Sequence, residues 1–340
     1  MEEEKAVARE ASVVPEVPVK KGMSEETRGL VYTICSALSY TISLSMLRGI
    51  TNYPEVSSDW SIAVKELTTV ACVLPFIIVQ WSRGRYRFPT CGVFGTLVLS
   101  GITCQAIGAR NHLLAYAAIG LALATPLIQA LQLIMSSIFG AVWLKERVTR
   151  TKLVALVLLI VAVWLLSGGN VSLDAQVAGR PIRLGLGLLL VTLTAFGYSS
   201  QLLMMRRVLR QPKTPDSEPG TLNANLYAPT TLAMVTVTGV GVLVCGGYLT
   251  VERGVDAWLA PPPICWLFAL IAGFANMIGF YFQIESLRRL FVLKQTMIAN
   301  VQTIALTLLG IVLYHEAFTW TIGLGVILVG AGVTLASLKN

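Results

Sequence analysis

Charge is what this chain has least of. Asp, Glu, Lys and Arg make up 13% of its 340 residues, about half of the roughly 25% that a soluble domain carries. A soluble globular fold is thereby disfavoured. Histidine occurs only at His112 and His315, too sparse and too far apart for a metal-dependent membrane enzyme. The six cysteines (Cys35, Cys72, Cys91, Cys104, Cys245, Cys265) stand singly in or beside apolar runs, with no CxxC spacing. That leaves out a disulfide framework and a zinc site and leaves core thiols. No GxxxxGK[ST] occurs, so the chain encodes no ATP-driven pump, and no GxSxG elbow occurs. No catalytic residue, metal or cofactor is expected, and the chain does not read as an enzyme.

Apolar sequence is what it has in abundance: 55% hydrophobic residues and a mean hydropathy of +0.70. Ten runs approach the ~20 residues that cross a ~30 Å hydrocarbon core: 29–47, 61–81, 92–110, 120–142, 152–168, 184–204, 226–249, 264–285, 293–313 and 319–338. A short polar break at Arg110, Asn111 and His112 separates the third from the fourth. Residues 1–28 are polar, without the apolar region and small-residue cleavage site of a signal peptide, and read as a disordered tail. The net charge of +8 sits in short loops, where basic residues orient helices. The partners expected are therefore a lipid bilayer and a small molecule, not nucleic acid.

Alternate loops differ in basic content. One set holds fourteen Lys and Arg, among them Arg83, Lys145, Arg206 and Arg288; the other holds five, namely Arg48, Arg110, Arg180, Arg183 and Arg253. The first set is expected in the cytoplasm, which puts both termini inside. The chain also repeats itself. WLKERVT (143–149) recurs as LYHEAFT (313–319), with Glu146 and Glu316 170 residues apart, and 36–48 aligns without gaps on 194–206, matching Tyr40 with Tyr198. Five spans per half is an odd number, so the halves must insert in opposite directions. The fold expected is an all-α polytopic membrane protein of ten transmembrane helices, arranged as two inverted-topology five-helix repeats.

Five-span inverted repeats whose helices end on a glutamate followed shortly by Thr resemble the drug/metabolite transporter superfamily, its EamA-like branch most closely. The resemblance covers residues 29–168 as a first repeat and 184–338 as an inverted second, joined by an outer loop at 169–183. Pro126 matches a proline the family favours in the fourth span; the corresponding residue of the second half is Thr296, a departure that points to asymmetry. The resemblance implies a secondary transporter working by alternating access on an amino acid, nucleobase or related compound. It implies export rather than import, in a bacterial inner (plasma) membrane, and allows a homodimer.

At ~1.5 Å per residue, Gln132 lies about 21 Å from Glu146, near mid-bilayer, and Gln302 stands in the same relation to Glu316. Polar residues recur along one face of span four (Thr125, Gln129, Gln132, Ser136) and span nine (Thr296, Asn300, Thr303, Thr307). Such stripes line a cavity or bond helix to helix; both readings stand. Tyr40 on span one, Tyr198 on span six, Gln105 on span three and Asn276 on span eight are further substrate-binding candidates, with packing as the alternative for each tyrosine. Lys65 and Glu66 lie just inside the outer end of span two. They either snorkel to the interface or serve function, with Glu66 the proton-coupling candidate. As sequence neighbours they point about 100° apart on a helix and are not expected to pair. Glu146, Glu316 and Pro126 read as structural markers of the repeat. The competing expectation is a non-transporting scaffold or receptor, tightly packed with no central cavity; a channel is a third.

Overall fold

The computed structural model describes residues 23–84, 89–119, 121–145, 150–168, 176–177, 180–181, 184–209, 228–314 and 320–337. In hydrocarbon every backbone polar group must bond within its own segment, and each apolar run forms helix. In chain order these are α1 (Glu25–Ile50), α2 (Ser58–Ser82), α3 (Cys91–Ile119), α4 (Leu121–Trp143), α5 (Arg150–Gly168), α6 (Leu184–Leu209), α7 (228–253), α8 (Pro263–Arg289), α9 (Val292–Ala299), α10 (Val301–Tyr314) and α11 (Trp320–Ser337). Between α5 and α6, β1 (Gln176–Val177) pairs antiparallel with β2 (Arg180–Pro181). Among the described residues six helices, α1, α2, α3, α6, α7 and α8, are long and apolar enough to cross a membrane. The chain is an integral membrane protein whose described apolar spans are all helical.

Three local features depart from expectation. First, α1 begins at Glu25, inside the stretch expected as tail. Ser24 caps it by accepting from the Thr27 amide at 3.1 Å, and Glu25 and Glu26 favour the positive helix start. Glu25 also meets Arg289 at 2.9 Å and Glu26 meets Lys294 at 2.6 Å, tying α1 to the α8–α9 turn.

Second, the polar break between spans three and four is not a loop. Helix α3 runs on to Ile119 because each polar residue finds a partner. Arg110 pairs with Asp59 at 3.0 Å, Asn111 donates to the Ile107 carbonyl at 2.8 Å, and His112 lies 3.1 Å from the Tyr198 hydroxyl. Just before them, Thr103–Ala109 winds as a π-helix. Here α6 comes very close: a Cβ on Gly197 would lie 2.6 Å from Gly108 N and Thr103 O.

Third, span nine is two helices. The hydrogen-bond ladder stops at Asn300, whose side chain donates to the Thr296 carbonyl at 2.9 Å and ends α9.

Helix α1 lies along α8, and α6 lies along α3. Helix α2 packs on α7, α5 on α11, α4 on α6, and α9 with α10 on α1. Besides a cluster around Leu133, Leu159 and Met297, two apolar clusters flank the middle of the bundle, one around Trp60, Leu113, Ile119 and Ile128, the other around Leu97, Met205, Met234 and Phe280. Tyr198 packs against both, and the cavity opens between them.

Candidate functional site

Two tyrosines stand at corresponding places in this cavity. Tyr40 of α1 lies over Gly279 of α8, where an added Cβ would come within 3.3 Å of its ring, and donates to Gln283 Oε1 at 2.9 Å. Tyr198 of α6 lies over Gly108 of α3, where a Cβ would come within 2.8 Å of its ring, and its hydroxyl meets His112 Nδ1 at 3.1 Å. In both cases the partner sits four residues, about one helical turn, beyond the glycine.

Between them α2 presents the charged pair. Lys65 Nζ lies 2.7 Å from Glu66 Oε1, with the side chains 10% and 1% exposed. Asn276 Nδ2 lies 3.4 Å from the other Glu66 oxygen and 3.5 Å from Thr69 Oγ1. One expectation is corrected here. Adjacent residues do pair, because the long lysine stem swings its ammonium across, and of the two readings left open for Lys65 this geometry turns it into the bundle. In a low-dielectric interior an unpaired charge is far costlier than the bent stem.

Amides line much of the rest: Gln105 on α3, Gln129 and Gln132 on α4, Gln201 on α6, Gln283 on α8 and Gln302 on α10. Gln105 lies beside Glu66. A Cβ at Gly241 would sit 3.0 Å from both side chains, and Gly241 leaves them that space. Gln105 Oε1 and His112 Nε2 are buried with no hydrogen-bond partner among the described residues. The cavity measures about 120 Å³, several times the ~10–15 Å³ that holds one water. Among the described residues no three His, Cys, Asp or Glu side chains group as a metal site would.

The structure therefore brings Tyr40, Tyr198, Gln105, Asn276, Gln129, Gln132, Gln302 and Glu66 to one cavity. Asn300 is the candidate it does not bring there: the residue is 0% exposed at the α9–α10 break. Other members of the polar stripes bond between or within helices, Ser136 to Ser199 at 3.2 Å, Thr125 to Tyr116 at 3.1 Å and Thr296 to its own helix. Glu146 and Glu316 lie outside the described residues; Pro126 falls within α4, its side chain likewise outside them. Missing from the candidates is His112, which lines the cavity. A signal for it exists: the offset of 171 that carries Gln105 onto Asn276 also carries Gly108 onto Gly279 and His112 onto Gln283.

Apolar helices packed around a polar, partly charged cavity make the architecture of a membrane transporter, and comparison with known proteins agrees. Residues 64–212 match the family described as sugar transport protein, and residues 220–338 match the EamA-like transporter family. Both are of the drug/metabolite transporter superfamily type, and together they mark the chain as a membrane transporter. No curated protein matches it. A solved structure described only as "Crystal structure of protein" superposes with a TM-score of 0.66 over 91% of this chain and 98% of its own, at 15% identity, a likeness of fold alone.

Proposed function

We propose that this protein is a ten-span secondary transporter that moves a small polar metabolite by alternating access of two inverted five-helix repeats, with both termini cytoplasmic and export the direction the resemblance implies. The observation that carries this reading is the central cavity, lined by amides from both halves of the chain. The paired arrangement of helices supports the inverted repeat: α1 on α8 is matched by α6 on α3, and α4 on α6 by α9 and α10 on α1. The tyrosines over Gly108 and Gly279 fit the same pseudo-symmetry. Gln132 and Gln302 are the residues proposed to bind substrate first, with Gln129, Gln105, Asn276, Tyr40 and Tyr198 around them. A packed scaffold would close this space, and a cavity of about 120 Å³ lined by Lys65, Glu66 and amide side chains speaks against it.

A thermal-shift screen of the purified protein across amino acids, nucleobases and sugars identifies the ligand, since binding stabilises in proportion to the logarithm of ligand concentration over Kd. Transport of that ligand into proteoliposomes is expected to saturate and to fall at least tenfold in the Gln132→Ala/Gln302→Ala double variant. Wild-type transport by the inserted double variant would sink the site assignment, and flux that never saturates would favour a channel.

A further inference from the structure

We infer that the substrate is a hydroxylated organic acid carried together with one proton, its carboxylate held by Lys65 and the proton by Glu66. The inference rests on the transporter reading above and names the substrate class and coupling of the same cavity.

Lys65 and Glu66 are the two Lys, Arg, Asp or Glu residues among the described residues that line the cavity, so their formal charges cancel. Their present contacts differ. Both Glu66 oxygens are engaged, one by Lys65 at 2.7 Å and one by Asn276 at 3.4 Å. Glu66 is the partner of the Lys65 ammonium among the described residues, and an ammonium has three N–H groups to give. A ligand entering here meets a cation with two N–H donors to spare and a carboxylate whose oxygens each already face a donor. The group that fits is an acceptor, and the strongest is an anionic oxygen.

An anion at Lys65 would then sit beside ionised Glu66, two negative charges against one positive in a medium where net charge is costly to bury. A proton on Glu66 restores the balance. A buried acceptor stands nearby: Gln105 Oε1 has no hydrogen-bond partner among the described residues, on a side chain that, like that of Glu66, lies against Gly241. Other titratable groups face this region: Cys104 and His112 from α3, Tyr40 from α1, Tyr198 from α6 and Cys245 from α7. Asn276 and Gln283 of α8 add none. Tyr40 is tied to Gln283 and Tyr198 to His112, and Arg110 closes on Asp59 at the helix ends. His112 is the rival proton holder. The remaining wall, with Gln129, Gln132 and Gln302, presents carboxamides that both donate and accept, the match for hydroxyl groups that do the same.

The test uses the purified full chain and three acids with their neutral counterparts: D-gluconate with D-glucitol, D-galactonate with galactitol, D-glucuronate with D-glucose. Titration calorimetry in buffers of different protonation enthalpy counts the protons taken up on binding. At least one acid is expected to bind wild type with one proton, its affinity rising up to about tenfold per pH unit as pH falls from about 7.5 to 5.5, while its neutral counterpart shows no such slope. Glu66→Gln should bind the acid with no proton uptake, Lys65→Gln should lose at least tenfold in acid affinity, and His112→Gln should keep the proton count. The count on wild type stands whether or not a variant folds. Binding of none of the acids, binding without a proton, or a proton count lost in His112→Gln but kept in Glu66→Gln overturns the inference. Saturable transport of a neutral compound alone would overturn it and leave the transporter reading intact, whereas a wild-type chain that binds a ligand yet moves none across proteoliposomes would fail that reading instead.

Discussion

The two tyrosine posts of the cavity are alike; the two helices that face them are not. Tyr40 over Gly279 and Tyr198 over Gly108 share a glycine seat and a hydrogen bond one turn further on. A second pair of close contacts fixes the correspondence between α2 and α7. A Cβ at Gly273 would strike Thr68, and one at Gly101 would strike Val240, so Thr68 and Val240 hold matching places. Counting back, Lys65 and Glu66 correspond to Val237 and Thr238, which also line the cavity. One side carries a buried ion pair where the other carries a methyl-bearing pair. Likeness in this molecule is scaffold, and the chemistry sits where the likeness fails.

That contrast can be broken from its costliest side downward. Lys65→Met strands Glu66 without its cation and is expected to cost about 3–5 kcal/mol, while Val237→Met at the matching place only adds volume and is expected to cost about 1–3 kcal/mol. Thermal unfolding in detergent measures both, and equal losses would remove the asymmetry. Next comes Gly197→Ala, whose Cβ would meet backbone at 2.6 Å; the expected cost of this overpacking is about 1–3 kcal/mol. Gly279→Ala, where the nearest side-chain atoms lie at 3.3 Å, should cost less, and the reverse order would mean that the α3–α6 contact yields more easily than its geometry implies. His112→Ala leaves the Tyr198 hydroxyl unpartnered, for about 1–3 kcal/mol, whereas His112→Gln copies the Tyr40–Gln283 arrangement and should recover most of that loss. Smallest of all is Thr238→Val, whose hydroxyl among the described residues donates to its own helix at the Met234 carbonyl, 2.7 Å away; a shift above about 1 kcal/mol would show a role in the cavity that packing does not explain.

Much of this arrangement is legible in the sequence because a repeat makes residues testify for one another. Tyr40 with Tyr198 and Gln105 with Asn276 emerge from offsets alone, and the structure gathers all four at one cavity. The helix boundaries track hydropathy to within a few residues at most ends. What stays hidden depends on side-chain reach and on local winding. The Lys65–Glu66 contact is invisible to a helical wheel, which fixes Cβ directions and not where a four-carbon stem ends. His112 hides in a polar triplet that reads as a loop, since nothing in ARNH reveals that Asp59, 51 residues earlier, has a place for Arg110. Asn300 falls on the expected stripe, but the helix stops at that residue, and a periodicity assumes a helix that continues.

The π stretch of α3 makes chain length count as an angle. A π turn holds more residues than an α turn, and each residue removed from a helix rotates the rest of that helix by about 100°. Arg110, Asn111 and His112 come directly after Thr103–Ala109. Taking one residue out of that segment would leave a good helix and an almost unchanged composition, yet it would swing His112 away from Tyr198 and Arg110 away from Asp59. One wall of the cavity is set by how many residues precede it, and an insertion or deletion too small to trouble the fold would be enough to dismantle the site.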